Sequence, residues 1–380
     1  MKLLTLFLLI TLSTATEELK IYFFETGQAE SQLIVFPSGY SILIDLGENS
    51  KTKTTNAKYV AKRVEQILGK KHIDVFVLTH YHWDHYGVVE KNGVWYFVEK
   101  LGFTFGKFLK RNAGQYNGEK LSDCKKSKIS WNIVGTMSSE TAKFVCYATS
   151  TKEKTKLSAI AETAHRCNTE QIHPPDEGAS VMVLQRDALG VKDKKGNKIS
   201  KNTMNKNPPV SENDLSICMR IQYGEFVYAT CGDMTGKDAT YSSKSYHDVE
   251  SLVAPMMGSV DVMKVNHHGA SSGTNTKWCK TLNPTVAVIT CGAGTDLPNT
   301  TPLKNLKNIG AKVYIPRKEC NQNNIKKYSN IKQMGDDVVI TVPKNGTTFT
   351  VANSKGEKSK TFNIKLNKKA PEPCKKLEQA

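Results

Sequence analysis

The run Thr79-His80-Tyr81-His82-Trp83-Asp84-His85 places three imidazoles and a carboxylate in six consecutive positions, directly after an apolar stretch. A chain carrying it must fold so that metal donors gather at the end of a strand. Residues 73–78 read IDVFVL, β-branched and aromatic side chains at strand length. Side chains two apart on an extended segment point the same way, so His80 and His82 address one position. The chain then turns, and Asp84 and His85 address a second. Imidazole with carboxylate suits zinc, and also manganese or iron; an all-oxygen magnesium or calcium site would not need three histidines.

Further motifs sit at the ends of other apolar runs. Phe24-Glu25-Thr26-Gly27-Gln28 is followed by Ser41-Ile42-Leu43-Ile44-Asp45-Leu46-Gly47. Residues 225–233 form an apolar strand ending in Gly232-Asp233, and residues 261–269 another, ending in His267-His268-Gly269. Together with H-x-H-x-D-H, these motifs resemble the metallo-β-lactamase superfamily. Lys264 three residues before the His-His-Gly, Ser271-Ser272 after it, Asn213-Asp214-Leu215-Ser216, and residues 283–292 are similar to the hydrolase domain of ComEC-type DNA-uptake proteins and their free-standing relatives. The resemblance spans about residues 20 to 350.

The resemblance implies an α/β fold, the four-layer αββα metallo-β-lactamase sandwich, holding two ions per chain, zinc first with manganese or iron as substitutes. His80, His82 and Asp233 would hold the first ion; Asp84, His85, Asp233 and His267 would hold the second, with Asp233 shared. Asp84 would also belong to the catalytic machinery. A water activated on the metal would be the nucleophile, and His268 the proton donor to the leaving group, a role His267 could exchange with it. Asp45 is either a partner behind a ligand histidine or a strand-end turn residue. The chain also departs from the pattern. Gly27-Gln28-Ala29-Glu30 replaces Gly-Gln-Gly-Asp, and Glu212 and Asn213 stand where many superfamily members place a third histidine, so the first ion is expected to be held more weakly and a single-metal or manganese-preferring enzyme stays open as an alternative. His165 and His173 lie upstream and would reach the site only by an unusual loop path.

The N-terminus reads as an export signal: Met1-Lys2, an apolar run over residues 3–12 and Ser13-Thr14-Ala15, with cleavage after about Ala15. Ten apolar residues are too short to span a bilayer, so the expectation is a secreted enzyme with no stable membrane insertion. None of the nine cysteines forms a C-x-x-C pair, which argues against a zinc ribbon or thioredoxin-type motif and for disulfides with one cysteine left over. Lys and Arg number 53 against 36 Asp and Glu, a formal +17. That excess either draws in a polyanion such as nucleic acid or another phosphate-bearing substrate, or simply solvates the surface. Aromatic residues are not interleaved with the lysines, so no base-stacking strip is indicated. Tyr81 and Trp83 are the candidates to line a cleft.

The reading along the chain is a signal peptide over 1–15 and one hydrolase domain over 16–352, with insertions near 91–172 and 187–210. A lysine-rich, frayed tail follows over 353–380. Strands are expected over 19–47 as a meander, then at 73–79, 179–185, 215–222, 225–231, 261–265, 285–290 and 312–315. Helices are expected at 56–69 and 302–309, and hairpin runs at 337–342 and 347–351. Three functions compete: a metal-dependent phosphodiesterase or nuclease; a hydrolase of small esters, lactones or β-lactams; and a non-catalytic binding protein on the same fold.

Overall fold

The computed structural model describes residues 17–124, 138–199, 207–241 and 243–374. Strands β1 (Glu18–Phe23), β2 (Gln32–Val35) and β3 (Ser41–Ile44) form the expected antiparallel meander. Helix α1 (Thr55–Leu68) crosses to β4 (His72–Leu78), and α2 (Trp83–Tyr86) and α3 (Gly93–Glu99) lead to β5 (Thr104–Lys110). Helix α4 (Ser139–Thr149) precedes β6 (Ala161–Thr163), and β3 through β6 run parallel. The second half holds β7 (Ala179–Gln185), β8 (Cys218–Tyr223), β9 (Phe226–Thr230) and a separate hairpin of β10 (Gly236–Tyr241) with β11 (Lys244–Asp248). Helix α5 (Val249–Met257), β12 (Val262–Lys264), α6 (Thr276–Leu282), β13 (Val286–Val288), α7 (Thr300–Asn308), β14 (Lys312–Ile315), α8 (Gln322–Ile325) and β15 (Ile331–Gln333) follow. Finally β16 (Val338–Pro343), β17 (Thr348–Asn353) and β18 (Lys360–Asn363) return to the first sheet, beside β1.

Two sheets result, one of nine strands in the order β18-β17-β16-β1-β2-β3-β4-β5-β6 and one of seven in the order β15-β14-β13-β12-β9-β8-β7. Their inner faces share one core, in which Ile21, Ile42, Val75 and Val77 of the first sheet meet Val183, Ile221, Tyr228 and Val286 of the second. Val60 and Val64 of α1, Phe97 of α3 and Phe144 of α4 cover the outer face of the first sheet. Val253 of α5, Trp278 of α6 and Leu306 of α7 cover the second. The molecule is therefore the four-layer αββα sandwich expected from the sequence. β4 is buried almost throughout, because a parallel strand inside such a sandwich is covered on both faces, and its HIDVFVL run satisfies that. Amphipathic spacing gives α1 its buried stripe of Val60, Ala61 and Val64. The Glu48 carboxylate accepts from the N–H groups of Asn56 (3.0 Å) and Ala57 (2.9 Å), and so satisfies the start of α1.

Several boundaries differ from the sequence reading. Within the proposed insertion 91–172, β5 and β6 are strands of the first sheet, since residues 104–110 register in parallel against β4. Within the proposed insertion 187–210, Ala188, Leu189, Val191 and Ile199 are buried, while Lys192, Lys194, Lys195 and Lys198 are exposed; residues 200–206 lie outside the described residues. The tail is not frayed over 353–374: β18 pairs with β17, Ile364 is buried, and Cys374 is joined to Cys167. The other disulfides are Cys124–Cys146, Cys218–Cys231 and Cys291–Cys320, which leaves Cys279 free and buried. The export-signal region lies outside the described residues. Among the described residues, no helix is long and apolar enough to cross a membrane.

Candidate metal centre

The site lies where strands of both sheets end. β4 delivers Thr79 to His85, β3 delivers Asp45, β9 delivers Asp233, and β12 delivers His267 and His268. Local backbone geometry brings these ends together. Asp45 has φ +57°, a left-handed conformation uncommon outside glycine, and it is held there by bonds to Thr79 on both its N–H and its hydroxyl, each 2.7 Å. Gly232 has φ +54°, and a Cβ there would lie 2.7 Å from Thr79 Cβ. Only glycine lets Asp233 approach the β4 end so closely, which is the physical content of the Gly-Asp pair. His267 and His268 both have positive φ, +48° and +52°, so two consecutive imidazoles splay apart instead of following a helical turn.

Two donor clusters form, each within 4.8 Å: His80, His82 and Asp233 in one, and Asp84, His85, Asp233 and His268 in the other. A single oxygen, Asp233 Oδ2, is common to both. It lies 3.9 Å from His80 Nε2, 3.3 Å from His85 Nε2, 3.4 Å from His268 Nε2 and 3.9 Å from His267 Nε2. His80 Nε2 lies 3.0 Å from His82 Nδ1, and His268 Nε2 lies 3.7 Å from Asp84 Oδ2. His85 Nε2, His268 Nε2 and Asp233 Oδ1 are buried without a hydrogen-bond partner. Orphaned donor atoms converging in a buried site fit divalent cations, and the mixed imidazole and carboxylate set fits zinc, manganese or iron.

Behind the donors stands a second set of buried charges. Asp45 Oδ2 lies 2.8 Å from His85 Nδ1, so the ring turns Nε2 toward the centre. Lys264 is fully buried; its ammonium lies 3.1 Å from Glu30 Oε2 and 3.7 Å from Asp233 Oδ1, and donates to the Gly232 carbonyl at 2.9 Å. Glu30 also accepts from Gln32 Nε2 (2.9 Å) and Thr290 Oγ1 (2.6 Å). Burial pulls the His80 pKa well below the usual histidine range, and the neighbouring His85 adds to the effect. Burial also opposes the charged forms of His85 and Asp233. Asp233 and Asp45 nevertheless outweigh it at His85 and raise that pKa, while His268 and His85 hold Asp233 well below the usual carboxylate range.

The structure brings together His80, His82, Asp84, His85, Asp233 and His268, and differs from the sequence reading on the His-His pair. His268, not His267, stands in the second cluster, because the paired left-handed residues turn the second ring inward: His268 is 1 % exposed and the His267 side chain 22 %. His267 Nδ1 lies 2.7 Å from Ser272 Oγ, and its Nε2 lies 3.1 Å from the Asn213 amide. His165 and His173 are exposed and belong to neither cluster. Tyr81 lines no cleft; its ring is buried and stacked over the Arg111 guanidinium, centroid 4.8 Å away. Trp83 does line one, a cavity of about 290 Å³ beside Asp84 that also involves Gln28, Asn49, Thr295 and Arg317.

In the sequence Glu30 shows only as a departure and Lys264 only as part of a motif, neither with a role in the site, and Arg111 does not stand out at all. Lys264 carried a usable signal, a lysine inside the apolar strand that leads to His-His-Gly, since a lysine is almost never fully buried unless paired. Arg111 carried none, since its partners come from 101 and 76 residues farther along the chain.

No protein-family model matches the chain, and no curated protein matches it. Among solved structures it is similar to the metallo-β-lactamase fold protein YhfI from Bacillus subtilis, with 13% identity and a TM-score of 0.40 over 80% of this chain and 98% of that one. It is similar to CmlA, a diiron β-hydroxylase from Streptomyces venezuelae, with 13% identity and a TM-score of 0.39 over 79% of this chain and 53% of that one. The chain thus spans about half the length of the hydroxylase. A diphosphatase of the PhnP family matches with 13% identity and a TM-score of 0.37 over 86% of this chain and 97% of that one. Likenesses at this level concern the path of the backbone and leave the reaction open.

Proposed function

We propose that the chain is a metal-dependent hydrolase of the metallo-β-lactamase superfamily, close to its ComEC-like members, that cleaves phosphodiester bonds in nucleic acid. The observation that carries this reading is the pair of donor clusters sharing Asp233 Oδ2 in a buried pocket with orphaned imidazole nitrogens. His80, His82 and Asp233 would hold one ion, and Asp84, His85, Asp233 and His268 the other. When bound, two ions so placed supply Lewis-acid polarisation of a phosphoryl oxygen and a water acidic enough to react near neutral pH. The protein's own part is positional. Asp45 orients His85, the Lys264–Glu30 pair braces Asp233, and His267 closes the open edge, its Nε2 accepting from the Asn213 amide and its Nδ1 bonded to Ser272 Oγ. The formal charge of +17 supports a polyanionic substrate. The disulfides, together with the apolar N-terminal run, support export to an oxidising compartment.

The test is cleavage of plasmid and single-stranded DNA by the chain lacking residues 1–15, loaded with zinc or manganese. An Asp84→Ala, Asp233→Asn double variant runs alongside, across a series of salt concentrations. The expected result is metal-dependent cutting that the variant loses and that weakens steeply as salt rises. Intact DNA with either metal, from protein shown to retain it, refutes the nuclease reading.

A further inference from the structure

Glu212 stands where many members of the superfamily that the chain resembles place a third histidine for the first ion, yet it belongs to neither donor cluster. Its Oε1 accepts from the Tyr81 backbone N–H at 2.8 Å and from Arg111 Nε at 2.6 Å, and its Oε2 accepts from Arg111 Nη2 at 2.6 Å. Both oxygens are therefore engaged away from the donor clusters. Tyr81 is the residue between His80 and His82, so the peptide that Glu212 grips is the one joining two donors of the first cluster. The same residue is held elsewhere too. Its carbonyl accepts from Thr141 Oγ1 at 3.3 Å, and its ring lies on Arg111. Arg111 has no exposed side-chain surface, and its other contact is Asp187 Oδ1 at 3.4 Å. A bidentate arginine–carboxylate pair fixes direction as well as charge, so it can aim the loop that it holds.

We infer that Glu212, locked by Arg111, is a positioning residue that replaces a missing ligand by holding the His80–His82 loop from behind, and that the two ion positions are unequal as a result. The second cluster offers four donor residues, three of them fully buried or nearly so. The first offers three, and depends on Glu212 for the relative placement of two of them. The chain therefore takes up one ion tightly and the other more weakly, and Glu212 governs only the weaker step. This inference rests on the two-ion reading above.

The experiment is calorimetric titration of chelator-treated protein with zinc, repeated with cobalt so that each step also shows its own absorption bands, on the parent chain and on Glu212→Gln and Asp187→Asn. Glutamine keeps an acceptor for the Tyr81 N–H but loses the ion pair with Arg111. Asp187→Asn removes the longer ion pair of Arg111, and that of Arg186, while leaving the bidentate Arg111–Glu212 pair and the Glu212–Tyr81 bond in place, so it reports on the stability of this buried charge network. The expected result is two steps in the parent chain, with Glu212→Gln weakening the weaker one by about 10–100-fold and sparing the tighter. Asp187→Asn lowers the melting temperature and leaves both steps in place. An unchanged weaker step in Glu212→Gln overturns the inference, as does equal weakening of both steps by both variants. Uptake of a single ion by the parent chain refutes the two-ion reading itself.

Discussion

Replacing Asp45 by asparagine tests whether this residue tunes the metal centre or merely turns the chain. The Asp45 carboxylate accepts from Thr79 N and Oγ1 at 2.7 Å each and faces His85 Nδ1 at 2.8 Å. Asparagine tolerates the left-handed φ and keeps an acceptor for the Thr79 N–H, so the backbone has no reason to move. It presents an amide N–H to His85 Nδ1, however, which favours the tautomer with its proton on Nε2, the atom that faces Asp233. A ligand histidine in the wrong tautomer, without its carboxylate partner, loses about 10–100-fold in metal affinity. At about 1.4 kcal/mol per decade this amounts to about 1.4–2.8 kcal/mol at the cluster that contains His85. The metal-free fold should change little, because burial raises the Asp45 pKa and removing its charge offsets the lost hydrogen bonding. Asp45→Ala should behave differently: it strands donors at Thr79 and His85, costing about 1–3 kcal/mol for each group left unsatisfied. The assay pairs zinc titration against a competing chelator with thermal melts of metal-free protein. Asp45→Asn binding zinc within twofold of the parent chain would refute the reasoning and leave Asp45 as a turn residue.

Two other perturbations follow from buried charges. Lys264→Met leaves Glu30 buried without its cation and should destabilise the metal-free chain by about 3–5 kcal/mol in urea unfolding, while Lys264→Met with Glu30→Gln should recover most of that loss. Additive single effects would contradict the pairing. Lys110 is 5 % exposed, and burial lowers its pKa to about 8 from 10.5. The unfolded chain therefore binds the proton more tightly than the folded one between those values, so parental stability rises with pH across that window, by up to about 3 kcal/mol. Lys110→Met removes this dependence. Its stability relative to the parent should be higher at pH 7 than at pH 10, and equal offsets in denaturant midpoints at the two pH values would exclude the effect.

What the sequence made legible follows from how local each signal is. The H-x-H-x-D-H run, the Gly-Asp pair and the His-His-Gly turn are contiguous, and their chemistry is written in adjacent residue types. The strands leading to them show as apolar runs because both faces of a parallel strand are covered. Which of His267 and His268 turns inward was not legible, since it depends on two consecutive left-handed residues that no pattern of side chains announces. β5 and β6 were read as insertion because Thr104 to Lys110 mixes lysine with aromatics and finds its place only by pairing with β4. Glu212 was seen as a departure, but its purpose needed Arg111, 101 residues earlier in the chain.

One feature of the architecture bears on how the molecule matures. Glu30, Asp45, the residues from His80 to His85 and Arg111 belong to the first sheet and its loops, whereas Glu212, Asp233, Lys264, His267 and His268 belong to the second. Neither half owns a complete cluster, because Asp233 must meet histidines from across the sandwich. An ion therefore cannot nucleate either sheet, and can be captured with full affinity only once the two have closed on each other. It then acts as a rivet through the interface, slowing separation of the halves more than it speeds their meeting.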